Sequence, residues 1–256
     1  MFRFILSLIV LGLFACGESH SDHDHTPTAD TSVSDTAAPK TIKVTYTAVN
    51  AQTDEAIPGA EICVDGQDCL VSDDAGVVEL ELVVGTRIDV SAKAAGFTTA
   101  RGSAIVADNA VTEFSLPLIL EVVVTLLANQ AGAETVDPER GHIAFLSVYP
   151  GDDVVGEKSG VSLTINPAGD GIGPKYVKDG DIIELLAEDL YDDTLTATTS
   201  SGAVNYFNLT PGDYSLSVSG AEGCTSFFGV ENADGTIGFD VKANEITYLL
   251  YTCAAE

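Results

Sequence analysis

The residues able to do chemistry are few and unevenly placed. The chain of 256 residues holds four histidines and five cysteines. His20, His23 and His25 crowd near the N-terminus among Asp22 and Asp24, which leaves His142 as the histidine of the body. A Ser-His-Asp hydrolase needs a base beside a supported nucleophile. His142, in ERGHIAF, leads an expected strand and reads as a surface residue, and no G-x-S-x-G occurs. Short His-rich tracts bind metal adventitiously, and without a fixed geometry this one reads as solvated chain. A zinc site of ordinary His and Cys ligands lacks partners in the body.

Carboxylates are the remaining candidates. They cluster at Asp73-Asp74, at Asp152-Asp153, at Asp189 with Asp192-Asp193, and at Glu231 with Asp234. Two carboxylates roughly 5–9 Å apart can cleave a glycoside, and calcium takes six to eight hard oxygens. The D-x-D-x-D-G-x5-E spacing is missing, so solvated acidic surface is the preferred reading of these clusters. No glycine-rich phosphate cradle follows a strand. The expectation is therefore no catalytic residues, no metal and no cofactor: a non-enzyme, with hydrolase and calcium-binding readings below it.

Charge narrows the partners. The formal net charge is −28, with only 11 Lys and Arg. Nucleic-acid binding needs a basic footprint, which this chain lacks. Direct contact with anionic lipid is disfavoured for the same reason.

An address is written at the start. Met1-Phe2-Arg3 carries a positive charge, and Phe4 to Ala15 is nearly all apolar. Such a run rises about 18 Å as a helix, against about 30 Å of bilayer core, so residues 1–15 read as a signal peptide. The end of the run, Leu13-Phe14-Ala15-Cys16, resembles the lipobox of bacterial lipoproteins. That resemblance implies cleavage before Cys16, acylation of its thiol, and stable anchoring by two or more chains. It also implies an outer-membrane address, because Gly17 and not aspartate follows. Residues 17–40 are mostly Ser, Thr, Asp, Glu, Pro and Ala. They cannot bury enough apolar surface to offset their ordering entropy. With Cys16 they form a tether reaching roughly 25–30 Å.

With Cys16 given to lipid, Cys63, Cys69, Cys224 and Cys253 remain. An exported compartment permits disulfides. Of three pairings, Cys63–Cys69 with Cys224–Cys253 is preferred, because each pair then lies inside one expected domain. The first closes CVDGQDC, where Asp65-Gly66 suits a chain reversal.

The elements that would carry these residues are strands. β-branched alternation recurs, punctuated by Gly, Asp and Pro. In VVELEL, Val78, Leu80 and Leu82 share one face and Glu79 and Glu81 the other; RIDVSAK alternates likewise. The fold class is all-β, two antiparallel β-sandwich modules after the signal peptide and tether, at residues 41–117 and 118–256. The second is expected to open with LILEVVVTLLA as a core strand. Further strands are expected at GHIAFLSVY, VSLTINPA, GPKYVK, DTLTATT, AVNYFNL, DYSLSVSG, TSFFGV, TIGFDVK and ITYLLYTC.

IPGAEICVDG, SDDAGVVELEL and IDVSAKAAGF together resemble the carboxypeptidase regulatory-like domain, a small non-catalytic transthyretin-like β-sandwich. GAVNYFNLTPGDYSLSVSG resembles the same superfamily, with Tyr206 in the place of a phenylalanine. Gly76, Gly85 and Gly96 echo Gly202, Gly212 and Gly220. The expected role is a non-enzymatic outer-membrane lipoprotein, structural, adhesive or interacting, with an envelope protein or glycan as partner. The alternative is a carbohydrate-binding module. Without tryptophan, its platform would fall to Tyr149, Tyr176, Tyr191, Tyr206 and Tyr214.

Overall fold

A computed structural model describes residues 38–108, 112–149, 156–180 and 189–253. The signal peptide, Cys16, most of the tether, and Asp152-Asp153 lie outside the described residues. The first half comprises β1 (Thr41–Asn50), β2 (Glu61–Val64), β3 (Leu70–Val71), β4 (Val77–Val83), β5 (Arg87–Lys93), β6 (Phe97–Ile105), β7 (Glu113–Leu120) and α1 (Glu121–Gln130). The second comprises β8 (Gly141–Tyr149), β9 (Gly156–Glu157), β10 (Ser162–Asn166), β11 (Ile172–Tyr176), β12 (Ala203–Leu209), β13 (Gly212–Ser219), β14 (Cys224–Phe228), β15 (Val230–Glu231), β16 (Ile237–Val241) and β17 (Glu245–Cys253).

The strands form β-sandwiches, and the alternation explains why. In β4, Val78, Leu80 and Leu82 are buried while Glu79 and Glu81 face water. β1 pairs with β4 on one side and β7 on the other; β5 pairs with β2 and β6. Their inner faces share one core, with Val44, Tyr46, Leu80 and Leu118 in the same cluster as Ile62, Val90 and Ala92. Each buried Val, Leu or Ile among them contributes about 1.5–3 kcal/mol. A second core lies between β8, β12 and β17 and the four-stranded sheet β10-β13-β16-β15. There Phe145, Val204 and Leu249 meet Leu163, Leu216 and Phe239.

The glycine echo has a topological counterpart. β4 and β5 belong to facing layers, and so do β12 and β13. Each pair is joined by a turn that crosses from one layer to the other. Gly220, just after β13, is a tight position: its φ is +75°, and a Cβ there would meet the Gly160 carbonyl oxygen at 2.2 Å.

β17 holds the centre of the larger sheet. It pairs in parallel with β8 over Ile246 to Thr252 and with β6 over Glu245 to Thr247. Beyond Thr247 its second edge passes to β14, antiparallel. The C-terminal strand is thus hydrogen-bonded to both halves of the chain.

Two expected strands differ. LILEVVVTLLA splits: the sheet ends at Leu120 and α1 begins at Glu121. A continuous apolar run does not distinguish a buried strand from a helix. Here Val124 and Ala128, one turn apart, bury a narrow stripe. Glu121 is well placed against the helix dipole, and Gly132 ends the helix with its N–H on the Asn129 carbonyl. DTLTATT forms turns instead of a strand, because Asp192 accepts hydrogen bonds from the Thr194 N–H and hydroxyl.

Candidate functional site

Among the described residues, the loop from Cys63 to Cys69, with Glu61 beside it, carries the group of His, Cys, Asp or Glu side chains whose donor atoms converge. β2 alternates: Ile62 and Val64 enter the core, while Glu61 is exposed and Cys63 half-buried. Ile62 pairs with Leu70, which brings Cys63 and Cys69 together across the hairpin as a disulfide. The Gln67 N–H donates to the Val64 carbonyl at 3.0 Å, with Gly66 at φ +85° in the turn. That geometry suits the expected Asp65-Gly66 reversal, since a type II turn needs positive φ at its third residue. Glu61, Cys63 and Cys69 place one donor atom each within 4.8 Å of one another. Oxidised to a disulfide, the two sulfurs are not thiolate ligands.

Asp65 carries this loop toward a buried arginine. Arg101, on β6, has a side chain only 8% exposed, and its Nε donates to Glu245 of β17 at 2.6 Å. Its Nη1 lies 3.5 Å from the Asp65 carboxylate but makes no hydrogen bond. The distance gives Coulomb attraction without hydrogen-bond geometry, so Glu245 is the principal partner. Burial alone would lower the Arg101 pKa; the hydrogen bond and charge of Glu245, with Asp240 and Asp65, reverse this and raise it. Sequence reading missed the pair because β6 is covered on both faces from Ala100 to Ser103, which erases the alternation.

His142 is a correction. It is 2% exposed, not a surface residue. β8 carries it into the interior, where its ring meets Phe207 at 5.7 Å. Its Nδ1 accepts the Asn208 N–H at 3.3 Å, and its Nε2 has no partner. Burial pushes its pKa down to about 4, so the imidazole is neutral at pH 7.

The tyrosines proposed as a sugar platform are interior too. Tyr176, Tyr191, Tyr206 and Tyr214 are all buried. The Tyr176 hydroxyl accepts the Leu163 N–H, the Tyr191 hydroxyl accepts from Asn205, and the Tyr214 hydroxyl donates to the Thr210 carbonyl. Tyr176, Tyr206 and Tyr214 stand in the core between the layers, while Tyr191, outside the named strands, packs with Leu190, Phe207 and Ala128 of α1. The side chain of Tyr149 lies outside the described residues.

The acidic clusters serve their own turns. Asp73 accepts the N–H groups of Ala75 and Val77, both at 2.9 Å. Asp234 accepts from Thr236 as Asp192 does from Thr194, and these hydrogen bonds hold both carboxyls below their usual pKa. Asp189 pairs with Lys178 at 3.1 Å and Asp193 with Lys175 at 2.5 Å. Asp74 and Glu231 are exposed. Among the described residues, Asp73, Asp189, Asp192, Asp193 and Asp234 are engaged by their own turns or by nearby lysines, which stabilises loops.

No family model and no curated protein matches the chain. Among solved structures, the minor pilin GBS52 of Streptococcus agalactiae is similar at 13% identity, covering 84% of this chain and 97% of its own, with a TM-score of 0.27. The shaft pilin SpaA of Lactobacillus rhamnosus GG is similar at 12% identity, covering 85% of this chain and 99% of its own, with a TM-score of 0.26. S.CueP matches over 30% of this chain at 14% identity, with a TM-score of 0.24; the chain spans 63% of its length. At these scores the likeness assigns no function.

Proposed function

We propose that the protein is a non-enzymatic cell-envelope lipoprotein that presents a β-sandwich body in a structural, adhesive or interaction role. The observation that carries this reading is Leu13-Phe14-Ala15-Cys16 at the end of a short apolar run. Cys16 holds the lipid, the tether spaces the body from the membrane, and the outer membrane is the address. The two disulfides suit an oxidising, exported compartment. A body this acidic is repelled by anionic headgroups. Its partner is an envelope protein or glycan. The carbohydrate-binding alternative loses support with four of its five candidate tyrosines in the core.

Metabolic labelling with a palmitate analogue tests the reading. The wild type incorporates label and Cys16→Ser does not. Equal label in both overturns it.

A further inference from the structure

The geometry points to a latent site for a thiophilic divalent cation, zinc or cadmium in type, made of Glu61, Cys63 and Cys69 and masked by the Cys63–Cys69 disulfide. The three donor atoms already lie within 4.8 Å of one another, and the Glu61 carboxylate is 3.9 Å from the Cys63 sulfur. Glu61 and Cys63 are two residues apart on β2 and so share a face. The hairpin supplies Cys69 from across the strand pair. Two thiolates and a carboxylate make three protein ligands, with a fourth tetrahedral position left to water. Glu61 and Cys69 are both exposed, so the approach is open.

The scaffold does not depend on the sulfur–sulfur bond. β2 pairs with β5 over four residues, from Glu61 to Val64, and Ile62 is fully buried. On the far side of the loop, buried Ser72 ties the chain back: its hydroxyl accepts the Ala60 N–H at 2.9 Å and donates to the Ile57 carbonyl at 3.0 Å. Both ends of the loop therefore stay in register when the bond opens.

Opening needs a dithiol reductant. One of its thiolates attacks the exposed Cys69 sulfur, the disulfide breaks, and Cys63 leaves as a thiolate. The second thiol of the reductant then displaces Cys69 and closes to a cyclic disulfide. The reductant gives up two electrons and two protons to the protein sulfurs. The entering cation displaces the thiol protons. Cys224–Cys253 provides no matching site: among the described residues, Glu61, Cys63 and Cys69 are the group whose donor atoms converge.

The test uses purified full-length protein, reduced with a dithiol, desalted without oxygen and titrated with Cd2+. The readout is thiolate-to-metal charge-transfer absorbance, which the histidines of the N-terminal tract cannot produce. The dithiol also frees Cys224 and Cys253, so every protein compared carries Cys16→Ser, Cys224→Ser and Cys253→Ser. Reduced, this parent gives the band, saturating at one Cd2+ per chain; oxidised, it gives none. Cys63→Ser/Cys69→Ser on the same background, reduced identically, gives none. Glu61→Gln, at an exposed position, binds at least about tenfold more weakly, the smaller loss seen even for groups behind the ligands. A band of equal strength in the double serine variant overturns the site. Undiminished affinity in Glu61→Gln overturns its carboxylate ligand and with it the three-ligand geometry.

Discussion

Arg101 and Glu245 are 144 residues apart in sequence and joined by a 2.6 Å charge-assisted hydrogen bond in the interior. The pair sits where β17 enters the sheet beside β6, at a parallel contact that includes Thr247↔Arg101. It ties the last strand of the chain to the first sandwich. With the Arg101 side chain 8% exposed and Glu245 20% exposed, the two are well but not fully desolvated.

Removing one partner leaves a buried charge unmatched. Arg101→Ala is expected to cost about 3 kcal/mol, the lower end for a buried pair because Glu245 keeps some solvent contact. For a chain of this size that lowers the melting midpoint by about 10 °C. Arg101→Met with Glu245→Leu, which removes both charges, should recover most of the loss. A thermal double-mutant cycle measures this, and a double variant no better than Arg101→Ala would contradict it.

His142 makes stability depend on pH. Its pKa falls from an unfolded value of 6.5 to about 4 in the fold. The neutral imidazole is the form the fold favours, so this contribution is fully present above pH 6.5. It drains away as pH falls toward 4, for a total of about 3 kcal/mol. His142→Asn, which keeps an acceptor for the Asn208 N–H, should show a shallower loss of stability over that window in denaturant unfolding. Parallel pH profiles for the two proteins would argue that His142 is not the titrating group.

The disulfides differ in the chain they close. Cys63–Cys69 spans 6 residues and Cys224–Cys253 spans 29. Loop entropy assigns the shorter about 2 kcal/mol and the longer about 3.5. The longer one also clamps the end of β17 to β14, with Cys224 and Cys253 directly opposite in register. Replacing both Cys224 and Cys253 by alanine should therefore lower the melting midpoint further than replacing both Cys63 and Cys69. The reverse order would show that the C-terminal strand holds without its clamp.

How much of this was legible in the sequence follows from the period of burial. Where one face of a strand meets water, as in β4, alternation marks core and surface correctly. Where both faces are covered, as around Arg101, or where an apolar run is continuous, as at Leu118 to Ala128, period two disappears and so does the reading. The burial of His142 is illegible for a related reason: a polar residue at a strand start is ordinarily exposed, and here tertiary contacts with Phe207 and Asn208 enclose it. Tyrosines are ambiguous in sequence because a phenol suits either environment. The Asp65-Gly66 turn was legible because its chemistry is local.

The acidic loops carry an expectation about calcium. Asp73, Asp192 and Asp234 already accept hydrogen bonds from their own turns. Melting curves with calcium and with chelator should agree closely. A tightly held ion at a thousandfold excess over its Kd adds about 4 kcal/mol, so a midpoint difference above about 10 °C would show that these carboxylates form a cation site.

Attachment through Cys16 is open to mass spectrometry of the N-terminal peptide from protein purified out of its native membrane. The expected peptide begins at Cys16, carries a diacylglyceryl group on the sulfur and lacks residues 1–15. A chain that retains Met1 and bears a free, unmodified Cys16 thiol would contradict it.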